Sequence, residues 1–328
     1  MSHFDYLIDK VEEANFSNSP FEHVYIENFL KQDDFDEIIS SPEISLNKAD
    51  NDGDLFEKLF SSGYKIVPFP GCITNKEDYL NWRQNKENSS KTNIHSACES
   101  FGMVLRLNKP DTTIIKSLKD FINSKDFNSA LAKKFNIEFE SCSQDSGIQK
   151  YLDGYEISPH PDLRKKALTY MVNINPADNS ESIDYHTHYL KLNESRKYVT
   201  KIWEGNPDYE RCWIPWDWCS TDLRQTQNNS IVIFSPHSDS YHGVKAKYNH
   251  LITQRTQLYG NLWYSEAKEH FKINWESLDF KNKEINSKRT ISFKDNLKKL
   301  VPDSVKTFFS KTNLKNQKDV DYSRKKHY

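Results

Sequence analysis

Between residues 147 and 264 the chain breaks into short runs of β-branched and aromatic residues divided by turn residues, and this rhythm narrows the possible folds most. The runs fall at 147–152, 168–174, 184–190, 230–234, 241–246 and 256–264. Short strands at such close spacing read as an antiparallel sandwich or barrel. The run Ile231-Val232-Ile233-Phe234, entered through Asn228-Asn229, reads as a fully buried strand. Upstream the period changes. Ile114, Ile115, Leu118, Phe121 and Ile122 repeat at helical spacing within 110–123, and Pro110 with Asp111 suits a first helical turn. A second short helix is expected over 127–135, a strand at 23–26 and an acidic helix reaching about residue 39. Segment 44–96 is polar and weakly periodic, so it reads as an insertion or lid. The expected organisation is a support region 1–146 carrying the insertion 44–96, a β core over 147–264, and a basic tail 265–328. The fold class is α+β with a mainly β core.

Composition excludes several classes. Formal net charge is −2 across 328 residues, so the whole chain is no nucleic-acid polycation. The tail alone carries a net +7 and would suit weak contact with an anionic surface, though solvated helices packed on the body are the plainer reading. Leu297, Leu300, Val301, Val305, Phe308 and Phe309 form its apolar stripe, with Pro302 opening a second short helix. Cys72, Cys98, Cys142, Cys212 and Cys219 are odd in number and form no CxxC pair, which argues for a reducing compartment and against a disulfide framework. No run approaches the ~18 apolar residues of a membrane span, and the N-terminus does not read as a signal peptide. A soluble cytoplasmic protein without specific nucleic-acid binding is expected.

The chemistry-bearing residues come in a fixed order. His160-Pro161-Asp162 is followed after 82 residues by His242, and 13 residues later by Arg255. On a strand, His160 and Asp162 share a face, and a rolled sheet can bring His242 opposite. Two imidazoles and one carboxylate on one side of a metal leave its other side open, the arrangement of non-heme Fe(II) oxygenases. The same three ligands also suit zinc. The planar fork of Arg255 matches a carboxylate bidentately. His-Pro-Asp is also a loop tripeptide of J-domain co-chaperones, but here its flanks are Tyr151-x-x-Gly154 and a strand.

In these residues the chain resembles the Fe(II)- and 2-oxoglutarate-dependent dioxygenases, in their prolyl 4-hydroxylase-like branch. The resemblance runs over 147–264 through Tyr151–Asp162, Leu168–Asn175, Ile231–Pro236, His242-Gly243-Val244 and Arg255, and more weakly through 20–30 and the helices of 110–135. It implies a double-stranded β-helix, or jelly roll, with supporting N-terminal helices and, here, a C-terminal helical tail. It implies iron bound by His160, Asp162 and His242, with Arg255 on the distal carboxylate of 2-oxoglutarate. O2 would be consumed, succinate and CO2 released, and ascorbate can serve as auxiliary reductant. Tyr151 falls near the cosubstrate and Tyr155 at the pocket mouth. Asn173 stands where relatives often carry a tyrosine that helps the arginine, and 184–190 replaces the usual Gly-Gly-Glu-Leu. Asp162 favours hydroxylation over halogenation.

The remaining candidates surround substrate. His186-Thr187-His188 could be a cupin-like metal pair with Glu194, but lacks the glycine frame, so His186 and His188 read as substrate-facing or structural. Trp216 lies in the aromatic run 213–218, which suits either a ring-binding wall or packing under a loop. His237 and His250 read as surface residues. The expected activity is hydroxylation of an aliphatic carbon in a prolyl or other amino-acid residue, a peptide or a small molecule. A glycan- or nucleotide-sugar-tailoring oxygenase, a zinc hydrolase and a non-catalytic jelly-roll binding protein are the alternatives. Specificity is expected in 44–96 and 191–228.

Overall fold

The computed structural model describes residues 2–85 and 94–267. Seven α-helices and twelve strands are named here. The helices are α1 (Tyr6–Glu13), α2 (Gln32–Ser40), α3 (Asp52–Ser61), α4 (Lys76–Gln84), α5 (Thr113–Ile122), α6 (Lys125–Lys134) and α7 (Tyr198–Glu204). The first six strands are β1 (Phe16–Ser17), β2 (His23–Ile26), β3 (Tyr64–Ile66), β4 (Val104–Leu107), β5 (Cys142–Tyr151) and β6 (Glu156–His160). The rest are β7 (Lys166–Asn173), β8 (Thr187–Leu192), β9 (Cys219–Arg224), β10 (Ile231–Phe234), β11 (His242–Lys245) and β12 (Arg255–Tyr264). They build an eight-stranded antiparallel sheet, ordered β1-β2-β10-β7-β12-β5-β4-β3, and a four-stranded antiparallel sheet, ordered β6-β11-β8-β9.

Alternation along the central strands divides the large sheet into two faces. Leu258 and Leu262 of β12, Ile148 of β5, Leu168, Tyr170 and Val172 of β7, and Ile231 and Ile233 of β10 join the main core with the helices. The core-facing side of α5 is Ile114, Ile115, Leu118, Phe121 and Ile122. Its first turn is capped from outside the helix, because Glu43 accepts the backbone N–H groups of Asp111 and Thr112 at 2.6 and 2.7 Å. Burying each large apolar side chain stabilises the fold by roughly 1.5–3 kcal/mol, so the helices are held chiefly by this face. The other face of the sheet meets the small sheet. Met171, Val232 and Phe234 pack with Tyr189 of β8 there, and Val104 and Tyr151 with Val244 of β11.

Three readings of the sequence change. The 146/147 boundary falls inside β5, and the N-terminal region contributes four strands to the large sheet, since β2 pairs with β10 and β4 with β5. Segment 44–96 is no separate lid where it is described: Leu55, Phe56 and Leu59 of α3 and Tyr79 of α4 are fully buried in the main core, and β3 pairs with β4. Its polar composition belongs to the outer helix faces. His250 is not a surface residue but fully buried, with Nε2 2.6 Å from Asp52 and Nδ1 accepting the Asp153 backbone N–H at 3.1 Å. Residues 86–93, and the tail expectations beyond residue 267, lie outside the described residues.

Candidate metal centre and cavity

His160 ends β6 and His242 opens β11, and the two are direct cross-strand partners. Between the Val244–Ile157 and His242–His160 pairs the register shifts by one residue, a bulge on β6. Such a bulge re-aims the side chains beside it. Gly243 makes the bulge possible, because a Cβ there would stand 3.0 Å from the Ile157 carbonyl oxygen and 3.1 Å from the Pro159 nitrogen. Pro161, lacking an N–H, ends the ladder. Asp162 therefore sits just past the strand rather than on it.

The three side chains converge. Their ligand atoms lie within 4.8 Å of one another, and all three residues are buried. Asp162 Oδ1 is 3.9 Å from His160 Nε2, and Oδ2 is 3.8 Å from His242 Nε2. Each imidazole is oriented by the backbone two residues earlier: His160 Nδ1–H donates to the Ser158 carbonyl of β6 at 2.8 Å, and His242 Nδ1–H to the Ser240 carbonyl just before β11 at 3.0 Å. That fixes the tautomer with Nε2 unprotonated and turned to the common centre, as metal ligation requires. Burial, with His242 beside it, lowers the His160 pKa to about 3, and burial lowers that of His242. Burial opposes the charge on Asp162, but Lys166 and the two imidazoles outweigh it and hold the carboxyl well below the usual range. Two neutral imidazoles and a carboxylate form a donor set that fits a divalent first-row metal.

This centre opens on a cavity of about 370 Å³ whose wall includes Tyr151, Tyr155, Arg255, Trp213 and Trp263. The odd-numbered residues of β12 from Arg255 to Trp263 all line it, the polar complement of the core-facing side of that strand. Four cations belong to the wall: Arg106, Lys166, Arg211 and Arg255. Arg106 pairs with Asp145 at 2.6 Å, Lys166 with Asp162 at 2.6 Å, and Arg211 with Glu99. Arg255 has no carboxylate partner among the described residues, though it is only 2% exposed. One of its terminal nitrogens donates to Thr187 Oγ1 at 2.9 Å, and the guanidinium lies 4.5 Å from the Tyr151 ring centre. A buried guanidinium over a ring, with no carboxylate beside it among the described residues, can receive an anion.

The other sequence candidates divide. Tyr151 and Tyr155 line the cavity, with ring centres 4.8 Å apart. Asn173 does not. Its amide donates to the Gln225 and Gln227 carbonyls at 2.9 and 3.1 Å and accepts from Gln257 at 2.8 Å, so it stands behind Gln257, which does line the wall. His186, His188 and Trp216 are also absent from the wall. His186 donates to the Ser180 carbonyl at 3.1 Å, His188 bonds Thr221 at 2.9 Å, and Trp216 donates to Glu156 at 3.0 Å. The residue between the two histidines, Thr187, is the one that turns inward, and Trp213 replaces Trp216 in the wall.

Several site residues escaped the sequence reading. Lys166 holds Asp162 Oδ1, and Thr169 donates to Oδ2 at 2.6 Å. Tyr259, Asn261 and Gln257 furnish the polar side of β12. The available signal was a lysine opening a mostly apolar run, Lys166-Ala167-Leu168-Thr169-Tyr170-Met171-Val172, whose following residues are all buried.

No protein-family model matches the chain, and no curated protein does. Solved structures do. A Pseudomonas putida prolyl-4-hydroxylase is 8% identical, with 80% of this chain and 98% of that one covered at a TM-score of 0.39. A Trichoplax adhaerens prolyl hydroxylase, in complex with a hypoxia inducible factor oxygen degradation domain peptide fragment, is 12% identical, with 80% and 88% covered at 0.35. The epimerase SnoN in complex with Fe3+, alpha ketoglutarate and nogalamycin RO is 8% identical, with 81% and 87% covered at 0.34. Identities and scores this low transfer no residue roles, and the chemistry of the site rests on its own distances and burial. The chain is similar to these three structures at that coarse level.

Proposed function

We propose that this chain is an Fe(II)- and 2-oxoglutarate-dependent dioxygenase of prolyl 4-hydroxylase-like type. Its two sheets would be the halves of a double-stranded β-helix, and its product a hydroxylated aliphatic carbon. One observation carries the reading: a single cavity holds both the buried His160, Asp162 and His242 set and, in Arg255, its one cation without a carboxylate partner among the described residues. A metal held by three protein groups on one side supplies redox chemistry toward O2 with a 2-oxo acid as co-reductant. The chain's residues do the positioning. His160 and His242 present Nε2 with Nδ1–H tied to the backbone. Arg255, with Thr187 beside it, receives the far carboxylate of the five-carbon diacid. Tyr151 and Tyr155 cover that end and exclude water, and Trp213, Trp263 and Leu163 are left to meet the prime substrate.

The prime substrate in this reading is a small molecule or a prolyl or other amino-acid side chain in a peptide. Tailoring of a glycan or nucleotide sugar is the second reading, favoured by Trp213 and Trp263 in the wall, since flat rings suit sugar faces. No helix among the described residues is long and apolar enough to cross a membrane. The cysteine pattern supports placing the protein in the reducing cytoplasm.

The test is anaerobic titration with Fe(II) and 2-oxoglutarate, followed by aerobic succinate measurement against panels of peptides, amino acids and sugars. Metal-dependent succinate release that rises with one panel is the expected result. A protein that binds zinc but no 2-oxoglutarate would overturn the reading in favour of a hydrolase. Metal and 2-oxoglutarate binding without succinate from any panel would leave a binding protein.

A further inference from the structure

The Lys166–Asp162 pair goes beyond ligand geometry. The ammonium and the carboxylate of a would-be metal ligand lie 2.6 Å apart, with side chains only 8% and 4% exposed. Lys166 is fixed from three sides: it also donates to the Tyr259 hydroxyl at 2.9 Å and lies 5.5 and 5.4 Å from the ring centres of Tyr259 and Trp263. Thr169 occupies the other carboxylate oxygen at 2.6 Å. Lys166 also lines the cavity. A permanent positive charge therefore stands beside the place where a metal dication would sit, and in the space a dianionic cosubstrate would enter.

We infer that Lys166 is a positioning residue that sets the charge of the metal centre, weakening its hold on the metal and strengthening its hold on the anionic cosubstrate. The inference rests on the proposed metal and 2-oxoglutarate site. Asp162 alone would cancel one of the two charges of a bound dication. Lys166 cancels Asp162 in turn, so the loaded centre keeps its full double charge. Repulsion between the ammonium and the metal raises the dissociation constant of the metal, and the extra charge lowers that of a dicarboxylate. A unit charge in direct contact with a buried centre shifts such equilibria by about tenfold or more.

The two effects have opposite signs, and a merely structural lysine would not produce that. In Lys166→Met, calorimetric titration with Mn(II) is expected to show the metal bound about tenfold more tightly than in wild type. Titration of the Mn(II)-loaded variant with 2-oxoglutarate is expected to show about tenfold weaker binding. Lys166→Arg, which keeps the charge, should return both constants to near the wild-type values. Should the methionine variant not fold, Lys166→Gln is titrated in its place and carries the same expectation. Metal and 2-oxoglutarate affinities that fall together, or that both stay unchanged, would overturn the inference. A wild-type protein that binds neither ligand would instead overturn the proposed site, so the two failures are separable.

Discussion

Replacing Arg255 with Met tests the cosubstrate end of the cavity through two readouts that move differently. Arg255 is 2% exposed, and its guanidinium faces Thr187 Oγ1 and the Tyr151 ring, with no carboxylate partner among the described residues. Among the described residues this is a buried cation without a counter-charge, which costs stability in the absence of ligand. Met has a similar reach and no charge, so ligand-free Arg255→Met should melt at or above the wild-type temperature. Binding runs the other way. Two parallel charge-assisted hydrogen bonds to a carboxylate are worth about 1.5–3 kcal/mol each. Their loss lowers 2-oxoglutarate affinity by roughly a hundredfold to ten-thousandfold, at about 1.4 kcal/mol per factor of ten. Arg255→Lys keeps charge but loses the fork, and should fall between. The assay is differential scanning fluorimetry with Mn(II), with and without 2-oxoglutarate. At a hundred times the dissociation constant the ligand contributes about 2.7 kcal/mol to wild-type stability, and in the Met variant that increment should fall to about 0.4 kcal/mol or less. A 2-oxoglutarate affinity within threefold of wild type would refute the reasoning. Arg106, Lys166 and Arg211 offer no ready substitute, because each already faces a carboxylate.

Three further outcomes are expected. His242→Ala leaves one imidazole and Asp162, so Mn(II) affinity should drop by at least about a hundredfold and succinate release should cease; wild-type turnover would remove His242 from the ligand set. Stability of the metal-free protein should fall as pH drops below about 6.5. His160 and His186 have pKa values lowered to about 3 and about 4, and that of His242 is lowered too, so the unfolded chain binds more protons across that window. Each such histidine contributes a slope of up to about 1.4 kcal/mol per pH unit, and urea unfolding curves that coincide at pH 7.5 and 5.0 would contradict it. Gly260→Ala should destabilise by roughly 1–3 kcal/mol or more, because its Cβ would stand 2.2 Å from the Tyr170 ring, and an unchanged melting temperature would show that the ring can move.

What the sequence disclosed and what it hid follow from the range of the interactions. The convergence of His160, Asp162 and His242, and the place of Arg255 on the same cavity wall, were legible because strand period and chain order survive in one dimension, although Asp162 falls just past β6 rather than on it. The α5 stripe was legible for the same reason, and the structure puts that helix at Thr113–Ile122. Strand β9 was not, because Cys219–Arg224 lies at a sheet edge and its mostly exposed side chains carry no apolar alternation. The polarity of 44–96 misled because a helix such as α3 needs only three buried residues to be fixed to a core, and the rest of its surface reads as loop. The His-x-His pair misled by parity: on β8 the residue between the histidines faces the cavity, and a one-residue choice of face reverses every assignment on a strand. Lys166 was the deepest omission. It is four residues from Asp162 in sequence, yet its role depends on Tyr259 and Trp263 arriving from β12, about a hundred residues away. A buried charge is recognisable only with its surroundings, and among the described residues those surroundings pair three of the cavity's cations with carboxylates and leave Arg255 without one.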